Sequence, residues 1–136
     1  LVGELRDLET ISLALTAAET GHLVFGTVHT SGAPNTIHRI VDVFPSSQQG
    51  QIRTQIATSL KLVMTQRLIK KADNSGRVAA FEIMVSNVAV QNLIRENKIH
   101  QIPSAMQTGI GDGMIQMDKS IEQLLKAGVI NYEDSF

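Results

Sequence analysis

Residues 23–28 form an apolar run that is interrupted only by Gly26 and Thr27. Its apolar side chains fall at both odd and even positions, which is typical of a strand covered on both faces in a parallel sheet. His29 and Thr30 follow the run directly. The pattern therefore predicts a central strand that delivers these two side chains to the point where it ends.

A helix is predicted immediately before this strand. Apolar residues recur there at the spacing of one helix face, at Leu8, Ile11, Leu15 and Ala18. Asp7 is expected to cap the first turn, and Gly21 is expected to stop the helix. Residues 1–2 resemble the end of an earlier strand. The order is therefore strand, helix and strand, a unit whose crossover is right-handed in nearly all known proteins.

Glu4 and His29 are the first candidates for chemistry, because each follows one of these two strands. Parallel strands end at the same edge of a sheet, where ligands bind in open α/β folds. A carboxylate there can polarise water or help to hold magnesium, and a histidine can donate to a phosphate oxygen. The alternatives are a helix cap or solvated charge for Glu4 and a bond to a neighbouring carbonyl for His29.

The middle of the chain is predicted to contain two helices and a hairpin. After a polar loop at residues 31–35, one helix is marked by Ile37, Ile40, Val41 and Phe44 and is ended by Pro45. Ser46 and Gln49 resemble a capping box for a long helix, with apolar positions at Ile52, Ile56, Leu60 and Val63 and on toward Leu68. Antiparallel strands are expected at residues 67–71 and 77–84, around a turn at 72–76.

From Asn87 onward the pattern is mainly helical. Asn87 is a predicted cap, residues 98–107 form a shorter segment broken by Pro103, and residues 109–113 form a flexible glycine-rich loop. A last helix, marked by Met117, Ile121, Leu124 and Leu125, is closed by Gly128. The expected fold class is α/β, with parallel strands and a crossover helix at residues 1–85 and a helical region at residues 86–136.

Composition narrows the function classes. The chain has 136 residues, a formal net charge of -1 and no cysteine. These values suit one globular domain, give no global field to recruit nucleic acid or anionic membrane, and exclude disulfides and thiolate chemistry. No apolar run approaches the ~20 residues of a membrane helix, so membrane insertion is not expected. The near-zero net charge gives no reason to expect a nucleic-acid partner. We expect a cytoplasmic location. The chain begins without methionine, and we expect it to be a piece of a longer protein.

The remaining candidates carry weaker signals. His22 begins the predicted strand at the end opposite to His29, so a structural or interface role is favoured. Arg6 could bridge to a neighbouring subunit or orient the loop after Glu4. The 109–113 loop lacks the Gly-Lys-Ser/Thr of a phosphate-binding P-loop, and no complete P-loop occurs in the sequence. No metal site is assigned to the other histidines.

Several segments resemble the ATPases of type II and type IV secretion. Residues 2–10 are similar to their Walker B segment, in which glycine precedes the glutamate, and residues 20–30 resemble their histidine box. Within that superfamily, residues 36–45, 66–68 and 89–96 resemble the type IV pilus retraction ATPases, which drive twitching motility. The last segment differs from the family pattern by Val90 in place of isoleucine and Gln91 in place of arginine.

The resemblance implies a RecA-like P-loop NTPase core in a homohexamer that hydrolyses ATP with Mg²⁺. It implies that Glu4 activates water or supports the metal, directly or through a water molecule, and that His29 senses the γ-phosphate. It also implies that residues 89–96 are a motif tied to retraction, with the functional residues Ala89, Asn92, Leu93, Ile94, Arg95 and Glu96. The P-loop would lie upstream of residue 1, so this chain alone is expected to be inactive.

The same resemblance implies a pilus platform protein at the inner membrane as partner, with the motor cytoplasmic and peripheral to that membrane. Two alternatives stay open. One is a pilus assembly or type II secretion ATPase of the same superfamily. The other is a non-enzymatic docking module that keeps the ancestral fold.

Overall fold

The computed structural model describes residues 1–135. Over these residues the chain forms six α-helices and two β-strands: α1 (Leu8–Glu19), α2 (Ala33–Asp42), α3 (Ser46–Ser59), β1 (Leu62–Lys70), β2 (Arg77–Val85), α4 (Val88–Arg95), α5 (Ile102–Thr108) and α6 (Met117–Lys126). Short 3-10 turns lie at Ile99–Gln101, Ile110–Asp112 and Tyr132–Asp134. The α/β content agrees with the predicted fold class.

Two helix starts follow from local side-chain chemistry. The Asp7 carboxylate accepts a hydrogen bond of 2.8 Å from the Thr10 amide at the start of α1. The Asn87 side chain accepts one of 3.0 Å from the Val90 amide at the start of α4. Each bond satisfies an amide that has no partner within its helix, and both predicted caps are therefore confirmed.

The predicted central strand is wrong in part. Residues 22–30 form neither helix nor strand, and Leu23 and Phe25 are 76% and 61% exposed. The segment nevertheless runs parallel to residues 2–5, because the Val2 amide donates to the Phe25 carbonyl (2.7 Å) and the Leu5 amide to that of Thr27 (2.8 Å). Between these two hydrogen bonds, the first segment advances by three residues, from Val2 to Leu5, and the second by two, from Phe25 to Thr27. The extra residue interrupts the ladder, as in a bulge.

The long helix predicted to continue toward Leu68 ends earlier, at Ser59, and β1 begins at Leu62. All of β1 pairs with β2 in an antiparallel register that runs from Leu62 opposite Val85 to Lys70 opposite Arg77. The apolar positions of residues 60–68 fit either period, and the partner strand decides between them. The first of the two predicted strands, residues 67–71, therefore starts too late, whereas the second is confirmed.

Smaller differences concern helix boundaries. α2 begins at Ala33, inside the predicted loop. Pro45, not Ser46, occupies the N-cap position of α3 and makes no side-chain capping bond. The Gln49 side-chain amide donates to the Phe44 carbonyl at 3.0 Å. The predicted glycine-rich loop contains the 3-10 turn Ile110–Asp112.

The main hydrophobic core draws on both parts of the chain. Buried side chains from α1, α2 and α3 pack together with buried side chains from β2 and from the helices after it. They include Ile11, Ile37, Ile56, Met84, Val90, Ile94, Ile102 and Met106. A second, smaller cluster of Ile69, Ala80 and Ile130 lies beneath α6. Burial on this scale removes apolar surface from water, which is the dominant favourable contribution to folding.

Within residues 1–135, no helix combines the length and the apolarity that crossing a bilayer requires.

Candidate functional site

Thr27 holds the segment that contains Glu4. Its hydroxyl donates to the Gly3 carbonyl, and its own carbonyl accepts from the Leu5 amide at 2.8 Å. Gly3 and Leu5 flank Glu4, and Thr27 stands two residues before His29. The structure thus brings the two predicted site segments side by side, although no hydrogen bond or ion pair joins Glu4 to His29 among the described residues.

Gly26 allows this close approach. A Cβ atom built on Gly26 would lie 2.9 Å from both Cγ and Cδ1 of Leu5, closer than real side chains come. A glycine within an apolar run often marks a site where another backbone approaches. The residue that interrupts the predicted strand is therefore the one that lets residues 2–5 lie against it.

Glu4 forms an ion pair with Arg6, in which Nη2 lies 2.7 Å from Oε2. The Glu4 side chain is 29% exposed and that of Arg6 is 73% exposed, so solvent screens the pair and its contribution to stability is small. Arg6 therefore contacts Glu4 within this chain, and Glu4 does not cap a helix, since Asp7 takes that role.

The histidine segment, residues 20–30, is secured at its far end by α2. The Arg39 guanidinium donates to the His29 carbonyl at 3.2 Å, and His29 itself is exposed. The hydroxyls of Thr30 and Thr36 form a hydrogen bond, and Thr36 also donates to the Gly32 carbonyl at 2.8 Å. Thr36 is buried, so this anchoring lies beneath an exposed histidine.

His22 lies at the other end of the histidine segment. Its Nδ1 is 3.2 Å from both the Thr20 hydroxyl and the Ala17 carbonyl. Ala17 belongs to the last turn of α1, where carbonyl groups lack helical partners. His22 therefore contacts the end of α1.

Residues 89–96 divide into an anchored face and an exposed face. Val90 and Ile94 are fully buried, and Leu93 packs partly against the core. The exposed members are Ala89, Asn92, Arg95 and Glu96. The Arg95 guanidinium donates to the Asn92 side chain at 3.2 Å, and Glu96 pairs with Lys98 at 3.4 Å. These four exposed residues therefore form a mostly polar surface that lies outside the main core.

Gln91, which stands where the family pattern has arginine, has a local role. Its side-chain amide donates to the Ser86 carbonyl at 3.3 Å, just before α4 begins. Asn87 in turn donates to the Asp112 carboxylate at 2.9 Å. The start of α4 is thus held by neutral amide groups and one carboxylate.

Glu82 is a residue that the sequence reasoning did not single out. One of its carboxylate oxygens accepts from the Ala33 amide at 3.0 Å and the other from the Met117 amide at 3.4 Å. The only sequence signal is an acidic residue within an apolar strand. A half-buried acid in such a strand requires hydrogen-bond partners, which here are the first amides of α2 and α6.

Glu4 provides one donor suited to a magnesium ion. No group of three or more His, Cys, Asp or Glu in residues 1–135 could hold a metal ion by itself. Magnesium in nucleotide sites is usually held by one or two carboxylates together with phosphates and waters. A single carboxylate at Glu4 fits such a shared site.

Comparison with known proteins identifies the family. The sequence profile described as type II/IV secretion system protein matches residues 1–132. The chain belongs to this family. It is 58% identical over 130 residues to a twitching motility protein of Neisseria gonorrhoeae, and 54% identical over 135 residues to the type IV pilus retraction ATPase PilT of Pseudomonas aeruginosa. These matches cover 96% and 99% of the chain.

The fold also matches a solved member of the family. A crystal structure of the pilus retraction motor PilT with bound ADP superimposes with a TM-score of 0.89 at 48% identity, covering 99% of this chain and 38% of that one. The pilus assembly ATPase PilB of Pseudomonas aeruginosa matches over only 71 residues, 52% of this chain, at 42% identity. The chain spans 35% and 39% of the lengths of the two relatives named above.

Proposed function

We propose that this chain is part of a hexameric ATPase motor that drives type IV pilus retraction and twitching motility. The observation that supports it most is the 54–58% identity, over nearly the whole chain, to a retraction ATPase and a twitching motility protein. The shorter match to an assembly ATPase disfavours the assembly alternative. The core is proposed to be RecA-like, with a P-loop supplied by residues outside this chain.

Glu4 is proposed to be the Walker B glutamate, which orients the attacking water and contacts Mg²⁺. Two observations support this role: the Thr27 bonds hold the main chain on both sides of Glu4, and the Glu4 carboxylate is paired with Arg6. Magnesium, when bound, would neutralise charge on the phosphate oxygens. Positioning of this kind supplies most of the catalysis in phosphoryl transfer.

His29 is proposed to sense the γ-phosphate. The residue is exposed, and its main chain is fixed by Arg39 while its side chain stays available to a ligand. An imidazole N–H can donate to a phosphate oxygen and so distinguish triphosphate from diphosphate. The exposed side chains of residues 89–96 are proposed to act in retraction, where the motor meets a platform protein at the cytoplasmic face of the inner membrane.

The test compares this chain with the full-length protein. We expect ATP hydrolysis by the full-length protein and none above background by residues 1–136 alone, since the chain lacks a P-loop. A strain without the gene should display surface pili that do not retract, whereas loss of an assembly ATPase would leave no pili. Hydrolysis by the isolated chain, or a strain without pili, would refute this assignment. A full-length protein that neither binds nor hydrolyses ATP would favour the docking-module alternative.

A further inference from the structure

The Glu82 carboxylate joins the first turns of two helices that lie far apart in the sequence. Oε1 accepts from the Ala33 amide at 3.0 Å, and Oε2 accepts from the Met117 amide at 3.4 Å. Ala33 begins α2, directly after the histidine segment, and Met117 begins α6. One side chain on β2 therefore contacts both a helix beside the candidate site and a helix of the carboxy-terminal region.

Neither helix is capped by the side chain of its own N-cap residue. The N-cap residues, Gly32 for α2 and Gln116 for α6, make no side-chain capping hydrogen bond. The first amides of a helix have no partner within it and carry the positive end of the helix dipole. A negative carboxylate placed between two such ends satisfies an amide of each and is favoured by both dipoles.

The residues around Glu82 allow it to contact the first turns of both helices. A Cβ atom on Gly32 would lie 3.2 Å from Glu82 Oε1, which is tighter than ordinary contact, so glycine allows the close approach. On the other side, the Phe81 amide donates to the Ser120 hydroxyl of α6 at 3.0 Å. Ile83 and Ile115 exchange two main-chain hydrogen bonds, of 2.9 and 3.1 Å. The residues on either side of Glu82 thus hold α6 against β2.

The contacts continue from α2 to the histidine segment. Thr36 in the first turn of α2 bonds to the Thr30 hydroxyl, and Arg39 donates to the His29 carbonyl. A shift of α2 would therefore move the main chain at His29. The described residues form one hydrogen-bonded path from α6 through Glu82 and α2 to His29.

We propose that Glu82 is a positioning residue that couples the His29 segment to α6. When a nucleotide contacts His29, α2 and α6 respond together because one carboxylate binds both. The proposal rests on the function proposed above for His29. It makes Glu82 a site where the state of the nucleotide pocket is transmitted to the carboxy-terminal helices.

The test uses the full-length protein with Glu82→Gln, which keeps the shape of the side chain and removes its charge. In glutamine one carboxylate oxygen is replaced by an NH2 group, which only donates. The remaining oxygen can replace only one of the two acceptors that bind the Ala33 and Met117 amides. The matched control is Glu122→Gln, an exposed carboxylate on α6 that pairs with Lys119 and Lys126. Hydrogen exchange at the Ala33 and Met117 amides is measured with and without ATP, together with kcat and KM for ATP.

We expect Glu82→Gln to speed exchange about tenfold at one or both amides in the nucleotide-free protein, since each loses protection when its acceptor is lost. Binding of ATP should slow exchange at Met117 in the wild type and in the control, and should fail to do so in Glu82→Gln. The value of kcat should fall about fivefold or more with KM nearly unchanged, the pattern for an interaction used in the transition state.

Wild-type exchange at both amides in Glu82→Gln, or an unchanged response of Met117 to ATP, would overturn the proposal. If Glu82→Gln does not fold, the double variant with Gln116→Ser gives α6 its own cap, and the loss of coupling is then measured there. Absence of ATP hydrolysis in the wild type would refute the proposed function instead. Exchange in the nucleotide-free protein would still test whether Glu82 joins the helices.

Discussion

Thr27 donates its hydroxyl to the main-chain carbonyl of Gly3, the residue directly before Glu4. Its carbonyl also accepts from the Leu5 amide, directly after Glu4. Two bonds from one residue thus fix the main chain on either side of the candidate catalytic carboxylate. The main-chain pairing of the two segments is interrupted between Val2 and Leu5. The side-chain bond from Thr27 therefore restrains Gly3 where the main chain makes no such bond.

Replacement of Thr27 by valine should lower activity while leaving the protein folded. Valine keeps the shape of threonine but leaves the Gly3 carbonyl without its donor, so Glu4 loses one restraint. We expect ATP turnover by the full-length protein to fall about tenfold, because small displacements of a positioned group carry large kinetic costs. The free energy of unfolding should fall by about 0.5–1.5 kcal/mol, the usual contribution of one hydrogen bond.

The control for this variant is Thr54→Val. The Thr54 hydroxyl donates to the Gly50 carbonyl within α3, away from the candidate site. We expect turnover within twofold of wild type for this control, as is usual for surface substitutions away from special features. Equal turnover in the two variants would show that the Thr27 bond does not position Glu4.

Replacement of Glu4 by glutamine should abolish hydrolysis while ATP binding persists. Glutamine cannot accept a proton from water or provide a negative ligand to magnesium, although it can still bond to Arg6. We expect turnover to fall by about 100-fold or more, within the range of effects for removing a general base. Steady-state hydrolysis and fluorescent-nucleotide binding measure the two properties separately. The matched control, Glu9→Gln, changes an exposed acid in the first turn of α1; similar losses in both variants would argue against the assigned role.

The two faces of α4 should respond differently to truncation. Ile94 is fully buried, so Ile94→Ala should lower the free energy of unfolding by about 2–5 kcal/mol through lost burial and a cavity. Arg95 is exposed and its guanidinium donates to the Asn92 side chain, so Arg95→Ala should change the free energy of unfolding by about 0.5 kcal/mol or less. Denaturant unfolding of the full-length protein compares the two. A large loss of stability in Arg95→Ala would contradict the division of the helix into an anchored and an exposed face.

The same pair tests the proposed role in retraction. In cells, Arg95→Ala is expected to reduce twitching while the protein level and ATP hydrolysis stay near wild type. Ile94→Ala should instead reduce the protein level and twitching together. Normal twitching in both Arg95→Ala and Asn92→Ala strains would exclude this surface as the site of force transmission.

Asp7 should make stability depend on acid pH. The hydrogen bond from the Thr10 amide is the main cause that lowers the pKa of the Asp7 carboxyl. Because the folded-state pKa lies below the unfolded value, the contribution of Asp7 is present above the unfolded pKa and is lost as pH falls through the folded pKa. Asn is also a good N-cap but does not titrate, so Asp7→Asn should keep most of the stability at pH 7 and show a smaller decrease in acid.

The measurement for Asp7 is the melting temperature of wild type and Asp7→Asn between pH 7 and pH 3. The difference between the two proteins should shrink as the pH falls through the acid range. Asp7→Ala, which removes the cap, should melt below both proteins at pH 7. Parallel curves for wild type and Asp7→Asn at all pH values would show that the titration of Asp7 does not contribute.

Much of the fold could be predicted from local patterns. The caps at Asp7 and Asn87, the helical face through Ile11 and the turn at residues 72–76 depend on neighbours within a few positions, where the sequence carries the information. The parallel direction of the segments near Val2 and Phe25 could also be predicted, because a helix that connects two extended segments is typical of parallel neighbours. The family resemblance rested on the same local segments.

Other features depended on contacts between distant residues. The strand at residues 62–66 has apolar positions that fit a helix as well, and only its pairing with β2 decided its conformation. The burial expected at Leu23 and Phe25 requires other elements packed on both faces of the strand, which the pattern of the run itself does not supply. Periodicity reports which residues prefer to be buried, and it does not report what covers them.

The candidate site shows the same division. The sequence by itself determined which residues could carry the chemistry, because acid, histidine and glycine are distinguished by their own atoms and their order along the chain. Only the tertiary structure decided that Thr27 holds the Glu4 segment and that Glu82 joins α2 to α6. Those contacts span 24, 49 and 35 positions. The physical reason is that hydrogen bonds act over about 3 Å in space, and no local pattern specifies which distant amide or carbonyl the folded chain brings within that distance.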